Sequence, residues 1–259
     1  MAEGDRPAHW ALRERLSPAA RRRLRRAVDP LLAPVGSLSS VRGAGRRIAL
    51  TFDDGPDPAH TAGVLDALAE RRVKATFFML GERAEAEPEL ARRVVDEGHE
   101  VALHGTDHAR LTRLSAAEVD ERVRGGRRRL EAVVGRPVRL FRPPYGAQSL
   151  RTWLAVRRAG MRVVVWTVDP RDWAADETPA GIAAAAGRLT TPGAIVLLHD
   201  GVGADEGVTT GASGPYPTFD RAESTSAVLE TLAVGGWLPG TVGDLLAAGH
   251  PVSSAWFRP

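Results

Sequence analysis

The sequence contains no cysteine, which excludes disulfide staples, thiolate metal sites and a cysteine nucleophile, and leaves the redox compartment undecided. No run approaches the ~18 apolar residues of a membrane-spanning helix. Lysine is nearly missing as well: every basic residue except Lys74 is arginine. A secretory signal needs an apolar core of roughly 7–15 residues behind its basic region. The best candidate, Leu31 to Val35, is broken by Pro34. No recognisable signal peptide follows, and the default expectation is a cytoplasmic protein. Short-period repeats are missing too, and no composition shift marks a linker beyond residue 46.

What is present is ordinary for a globular chain. Of 259 residues, 43% are hydrophobic and 26% charged, which excludes fibrous and wholly disordered classes. The net charge is only +3, from 35 basic and 32 acidic residues, but it is unevenly spread. Residues 1–47 hold 11 Arg against four acids (Glu3, Asp5, Glu14, Asp29), and the remainder holds 24 basic residues against 28 acidic ones. The expected organisation is an Arg-rich, partly ordered extension over 1–45, one domain over 46–250, and a short tail over 251–259. Such a charge run is most often a solvated or partly ordered segment. The sharper alternative is a basic amphipathic helix in weak contact with an acidic envelope surface. Nucleic-acid binding is disfavoured, because no aromatics are interleaved with the arginines.

From Arg46 onward, short apolar runs alternate with amphipathic stretches. Strands are predicted at Ile48–Phe52, Ala75–Leu80, Glu100–Leu103, Val138–Phe141, Met161–Val168 and Ala194–Leu198. Helices are predicted at Thr61–Arg72, Pro88–Glu97, Ser115–Val134, Ser149–Ala159 and Pro179–Leu189. This alternation argues for an α/β fold with a parallel sheet or barrel.

Five of the strand-like runs end in polar clusters: Asp53-Asp54-Gly55-Pro56, His104-Gly105-Thr106-Asp107-His108, Arg142-Pro143-Pro144-Tyr145, Asp169 with Asp172 and Trp173, and His199-Asp200. C-terminal strand ends of parallel α/β folds share one face, where active sites are built. Asp53 and Asp54 read either as a turn or as a ligand and a base for an activated water. His104 and His108, four residues apart, have zinc-site spacing and complete a two-His, one-carboxylate set with Asp54. His199 is either a lone satisfied histidine or a proton donor of suitable pKa. His9, His60, His99 and His250 have no comparable partners and read as structural or surface residues. The Gly-rich segment 201–220 reads as a lid or binding loop, with Tyr216 as an aromatic contact, or else as a plain solvent loop.

Taken in order, Thr51-Phe-Asp-Asp-Gly-Pro56, His104/His108, Arg142-Pro-Pro-Tyr145, Asp169-Pro-Arg-Asp-Trp173 and Val196-Leu-Leu-His199 resemble the five motifs of the polysaccharide deacetylase family. This is the NodB-homology group, carbohydrate esterase family 4. The resemblance covers roughly 47–248. It implies a single distorted (β/α) barrel and a metal-dependent hydrolase that removes N-acetyl groups from a glycan or amino sugar. It implies that Asp54, His104 and His108 bind a divalent cation, most often Zn2+, with Co2+ an alternative, and that no organic cofactor is used. Asp53 would be the general base, and Arg142 would pair with it. Tyr145 would offer its backbone N–H to the oxyanion, and His199 would protonate the leaving amine with Asp172 orienting it. Pro143, Tyr145, Trp173 and Leu197 would line the pocket. Members that act on polymers are generally exported, against the cytoplasmic default. One departure stands out: the family usually has Ser or Thr directly after the first motif histidine, where this chain has Gly105, with Thr106 as a substitute brace. The rivals are an O-acetyl esterase or small-molecule amide hydrolase using the same site, and an inactive glycan-binding protein.

Overall fold

The structure is a computed structural model that describes residues 36–202 and 217–258. Most of the Arg-rich segment and most of the 201–220 loop, including Tyr216, therefore lie outside the described residues. In chain order the strands are β1 (Ser37–Arg42), β2 (Arg47–Asp53), β3 (Thr76–Leu80), β4 (Glu100–Gly105), β5 (Leu140–Phe141), β6 (Arg162–Val163), β7 (Ile195–His199), β8 (Leu238–Gly240) and β9 (His250–Ser254). The helices are α1 (Thr61–Glu70), α2 (Gly81–Ala86), α3 (Pro88–Asp96), α4 (Ala116–Val134), α5 (Leu150–Arg158), α6 (Pro179–Leu189), α7 (Arg221–Val234) and α8 (Val242–Ala247).

The main sheet runs β6-β5-β4-β3-β2-β7, with β8 paired to the start of β2. Every pairing in it is parallel. The ring is closed by one stretch of chain that crosses from β5 to β7. At its start Val164 N–H donates to Phe141 O at 2.8 Å, and at its end Leu197 N–H donates to Val168 O at 2.9 Å. This crossing corrects the prediction of a single strand over Met161–Val168, because each half of the stretch pairs with a different neighbour. The outcome is the expected distorted (β/α) barrel.

Strand side chains alternate between two faces, and here both faces are apolar, as parallel sheets require. Ile48, Leu50, Phe52, Phe77, Met79, Leu103, Val196 and Leu198 pack outward under the helices. Phe52 and Phe77 stack there at 5.1 Å between centroids, and each buried ring contributes about 1.5–3 kcal/mol of apolar transfer. Ala49, Phe78, Ala102, Leu140 and Ile195 form the inner cluster. The same period sends Asp53, His104, Arg142 and His199 inward at the C-terminal ends of β2, β4, β5 and β7. Register completes the alignment, since Asp53 lies beside His199 in the β2–β7 pair.

Side-chain caps fix where the helices start. Ser115 forms a capping box with Glu118 at α4, and Ser149, Thr178 and Asp220 accept from first-turn N–H groups of α5, α6 and α7. Each such cap is worth about 1 kcal/mol. None of the described helices is long and apolar enough to cross a membrane.

Two segments sit differently from the reading of 1–45 as an extension and 251–259 as a tail. β1 pairs antiparallel with β9 from Ser37↔Ser254 to Arg42↔His250, and Leu38 and Val41 are buried in the inner cluster. Farther on, Gln148 and Arg258 exchange backbone hydrogen bonds at 2.8 and 3.0 Å. Neither strand carries an apolar run, so neither announces itself in the sequence.

Candidate active site

Asp54 follows the last residue of β2 and adopts φ 76, a left-handed conformation that aspartate tolerates better than most residues. Its Oδ1 lies 3.3 Å from His104 Nε2 and 3.3 Å from His108 Nε2. All three ligand atoms fall within 4.8 Å of one another. Asp54 Oδ1 is buried, and among the described residues it has no hydrogen-bond partner. A buried carboxylate oxygen left unpaired between two imidazole nitrogens is costly on its own. The donor set of one carboxylate and two imidazoles matches a divalent cation of the zinc type, so these residues fit the group that the sequence implied.

The protonation states agree with that fit. Burial pushes the His108 imidazolium down to about 4, more than the Asp54 charge pulls it back. His108 is therefore neutral at pH 7, with a lone pair to donate. Burial alone would raise the Asp54 carboxyl, but the nearby His104, His108 and His199 hold it well below the usual carboxylate range. His104 Nδ1 lies 2.9 Å from Arg142 O. That contact makes Nδ1 the N–H donor and leaves Nε2 as the ligand atom.

Asp53 also approaches His104, with Oδ2 3.8 Å from His104 Nε2. Arg142 Nη1 donates to Asp53 Oδ1 at 2.6 Å and to Thr51 Oγ1 at 2.9 Å. The Arg142 guanidinium is fully buried and lies 4.0 Å over the Phe78 ring. Burial lowers its pKa and the Asp53 charge works against that. The pair is thus an ion pair inside the barrel, where each partner justifies the other.

His199 faces this group from β7. Asp172 Oδ1 lies 2.7 Å from His199 Nδ1, and Asp172 Oδ2 accepts the His199 main-chain N–H at 2.7 Å. Burial would lower the His199 pKa, but the charge and hydrogen bond of Asp172, helped by Asp54 and Asp53, raise it to about 9. It is an imidazolium at neutral pH, with Nδ1 engaged and Nε2 left for transfer.

Tyr145 lies in a 3-10 turn over Pro144–Gly146 with φ 58. Left-handed non-glycine residues of this kind cost about 1–3 kcal/mol and gather at functional sites. Its ring is 40% exposed and packs 4.2 Å from the His108 ring, with Arg110 4.4 Å over its own ring. Trp173 is 45% exposed at the rim, its Nε1 donating to Asp169 Oδ1 at 3.2 Å. Pro143 and Leu197 are buried, Leu197 on the inward face of β7. Of the other histidines, His99 is buried and accepts from Ala75 N–H at 3.1 Å, His60 precedes α1, and His250 is exposed on β9. His9 lies outside the described residues.

Sequence reasoning gave no role to five residues that hold this arrangement. Thr51 bridges Arg142 and Val196 O. Arg83 Nη1 donates to Asp54 O at 2.8 Å. Arg221 Nη1 donates to Asp172 O at 2.8 Å and to Asp172 Oδ2 at 3.1 Å. Asp200 is buried against Thr61 Oγ1 at 2.6 Å, and burial raises its carboxyl to about 7. Trp256 Nε1 donates to Gly146 O at 2.9 Å. Inward parity on β2 was a readable signal for Thr51. The other four act across long sequence separations, and only Asp200 stood in a polar cluster that the sequence marked.

Comparison with known proteins places this geometry in a family. The polysaccharide deacetylase pattern matches residues 40–164. A chitooligosaccharide deacetylase from Bradyrhizobium is 43% identical over 176 residues, which are 66% of this chain and 78% of the relative. The solved peptidoglycan deacetylase PdaC from Bacillus subtilis is 32% identical with a TM-score of 0.66, covering 80% of this chain and 93% of its own. A CE4 family pseudoenzyme from Bacillus anthracis is 25% identical with a TM-score of 0.70, covering 82% and 69%. With its five motifs converging on one end of the barrel, the chain belongs to the polysaccharide deacetylase family, carbohydrate esterase family 4.

Proposed function

We propose that this protein is a cation-dependent hydrolase that removes N-acetyl groups from an N-acetylated glycan of the chitooligosaccharide or peptidoglycan type. One observation carries the reading. A carboxylate paired with Arg142 and an imidazolium kept charged by Asp172 flank the same Asp54–His104–His108 group. Amide hydrolysis needs a base and an acid held in opposite protonation states, and two separate ion pairs supply that. The pseudoenzyme among the structural relatives is a reminder that the fold alone does not confer activity. The complete set of ionisable groups supports turnover rather than binding only.

Asp54, His104 and His108 would hold the cation, Zn2+ by donor preference with Co2+ as the alternative. When bound, the cation supplies Lewis acidity that makes a water nucleophilic near neutral pH. Asp53 then accepts the proton of the attacking water, and Arg142, donating to Asp53 Oδ1, keeps it aimed. The main-chain N–H of Tyr145, turned by its left-handed conformation, faces the oxygen on which negative charge develops. His199 passes its Nε2 proton to the nitrogen as the C–N bond breaks, a contribution of about 10²–10⁴-fold for a placed acid. Pro143, the Tyr145 ring, Trp173 and Leu197 form the walls around the acetyl group. The exposed Tyr145 and Trp173 rings suit a sugar face, which supports a carbohydrate substrate.

Matched N-acetyl and O-acetyl substrates on one sugar scaffold test the reading. Acetate release from the amide is expected, and His199→Ala should depress it more than release from the ester, because only an amine leaving group needs the His199 proton so strongly. Release from the ester alone would favour the esterase reading.

A further inference from the structure

Gly105 stands where the family places a hydroxyl residue, and its backbone explains why no side chain could be there. Its φ is 124, and a Cβ at this position would lie 2.8 Å from Asp107 O. The β3–β4 register also shifts at this point, between Met79 and Leu80. The chain between the two histidine ligands must therefore be braced from elsewhere.

The brace comes from α4. Thr106 Oγ1 donates to Arg122 O at 2.7 Å. Arg122 Nη1 in turn donates to Asp107 Oδ2, forming a half-buried ion pair. One helical turn beyond Arg122, Gly126 lets the loop lie flat on the helix: a Cβ there would sit 2.9 Å from Thr106 N and from Thr106 Oγ1. From α2, Glu82 N–H donates to Thr106 O at 2.9 Å. The helix itself is firmly placed by its capping box and by buried Val119, Val123 and Leu130.

The two histidines depend on this brace to different degrees. His104 Nδ1 is fixed by Arg142 O. His108 Nδ1 is buried without a hydrogen-bond partner among the described residues. The aim of His108 is therefore set by its backbone, which follows directly from Asp107, and by ring packing against Tyr145.

We propose that Arg122, its side chain acting through Asp107 and its main-chain oxygen through Thr106, is a positioning residue that aims His108 and thereby sets the affinity of the Asp54–His104–His108 group for a divalent cation. The inference rests on the cation reading above. Outer partners of metal ligands typically alter affinity by about 10–100-fold, and Arg122 reaches its ligand through one intervening residue.

The test is the dissociation constant of Zn2+ and of Co2+, measured on the full chain by competition with a chromophoric chelator. The visible absorption of the Co2+ form gives a second readout. Arg122→Ala and Thr106→Val should each weaken binding by about tenfold or more and alter the Co2+ spectrum. Arg122→Lys should recover part of the affinity, and unfolding in excess chelator should change little. Should Arg122→Ala fail to unfold cooperatively, Thr106→Val and Gly126→Ala carry the same expectation. Affinities within about threefold of the parent in every folded variant, against the 10–100-fold typical of such partners, would overturn the positioning role and leave the cation reading standing. A parent chain that binds neither metal would overturn both.

Discussion

Asp172 holds His199 at two points, the ring Nδ1 at 2.7 Å from one carboxylate oxygen and the main-chain N–H at 2.7 Å from the other. The double contact fixes both where the histidine stands and which ring nitrogen keeps its proton. Arg221 donates to the oxygen that accepts the main-chain N–H, at 3.1 Å.

Asp172→Asn should therefore lower the His199 pKa from about 9, since the neutral amide removes the charge that outweighs burial. The alkaline limb of the kcat/KM profile is expected to move to lower pH, and histidine NMR titration should show the same displacement. An unmoved alkaline limb would detach His199 from the acid role.

The same shift predicts how stability depends on pH. Folded His199 holds its proton up to about 9, whereas its ordinary value is 6.5. Between these values the folded state binds more protons than the unfolded state, so unfolding free energy falls as pH rises. This contribution is complete below about pH 6.5 and gone above about pH 9. Urea midpoints across that window should decline in the parent and decline less in Asp172→Asn.

How much of this was legible in the sequence follows from the physics of each part. Strands buried on both faces must be apolar runs, so β2, β3, β4 and β7 were readable, and the polar clusters after β2, β4 and β7 marked the active end. Inward parity of Asp53, His104, Arg142 and His199 follows from the two-residue period alone. β1 and β9 were not readable: in β1 three serines interrupt Leu38 and Val41, and β9 has no fully buried residue. α7 opens with Arg221, Ser224 and Thr225 buried, which blurs its apolar period, and α8 spans six residues. Arg221 with Asp172, and Trp256 with Gly146, meet only through the closed barrel.

Arg142→Ala should cost about 3–5 kcal/mol, the usual penalty for stripping one partner from a buried ion pair. Replacing both Arg142 and Asp53 by leucine should cost less than that single change, because no unpaired charge remains. Chemical denaturation of the three variants measures this. Equal losses in the single and double variants would show that packing on Phe78, not the ion pair, dominates.

Trp256→Ala removes the hydrogen bond to Gly146 O and the edge contact with Trp166 at 5.1 Å. The turn carrying Tyr145 then loses its outer support. A drop in kcat/KM is expected, with a stability loss smaller than the ~3–5 kcal/mol of a fully buried tryptophan. Unchanged kinetics would confine the C-terminal residues to a structural role.

The most direct test of the central claim is acetate release from a series running from N-acetylglucosamine through chitin oligomers to peptidoglycan fragments. It compares the Zn2+- or Co2+-loaded protein, the chelator-treated protein, the re-loaded protein and Asp53→Asn. The account predicts release that chelation abolishes, that added metal restores, and that Asp53→Asn loses by at least about 10²–10⁴-fold while still binding the cation. Release that survives complete chelation, or full activity in Asp53→Asn, would contradict it.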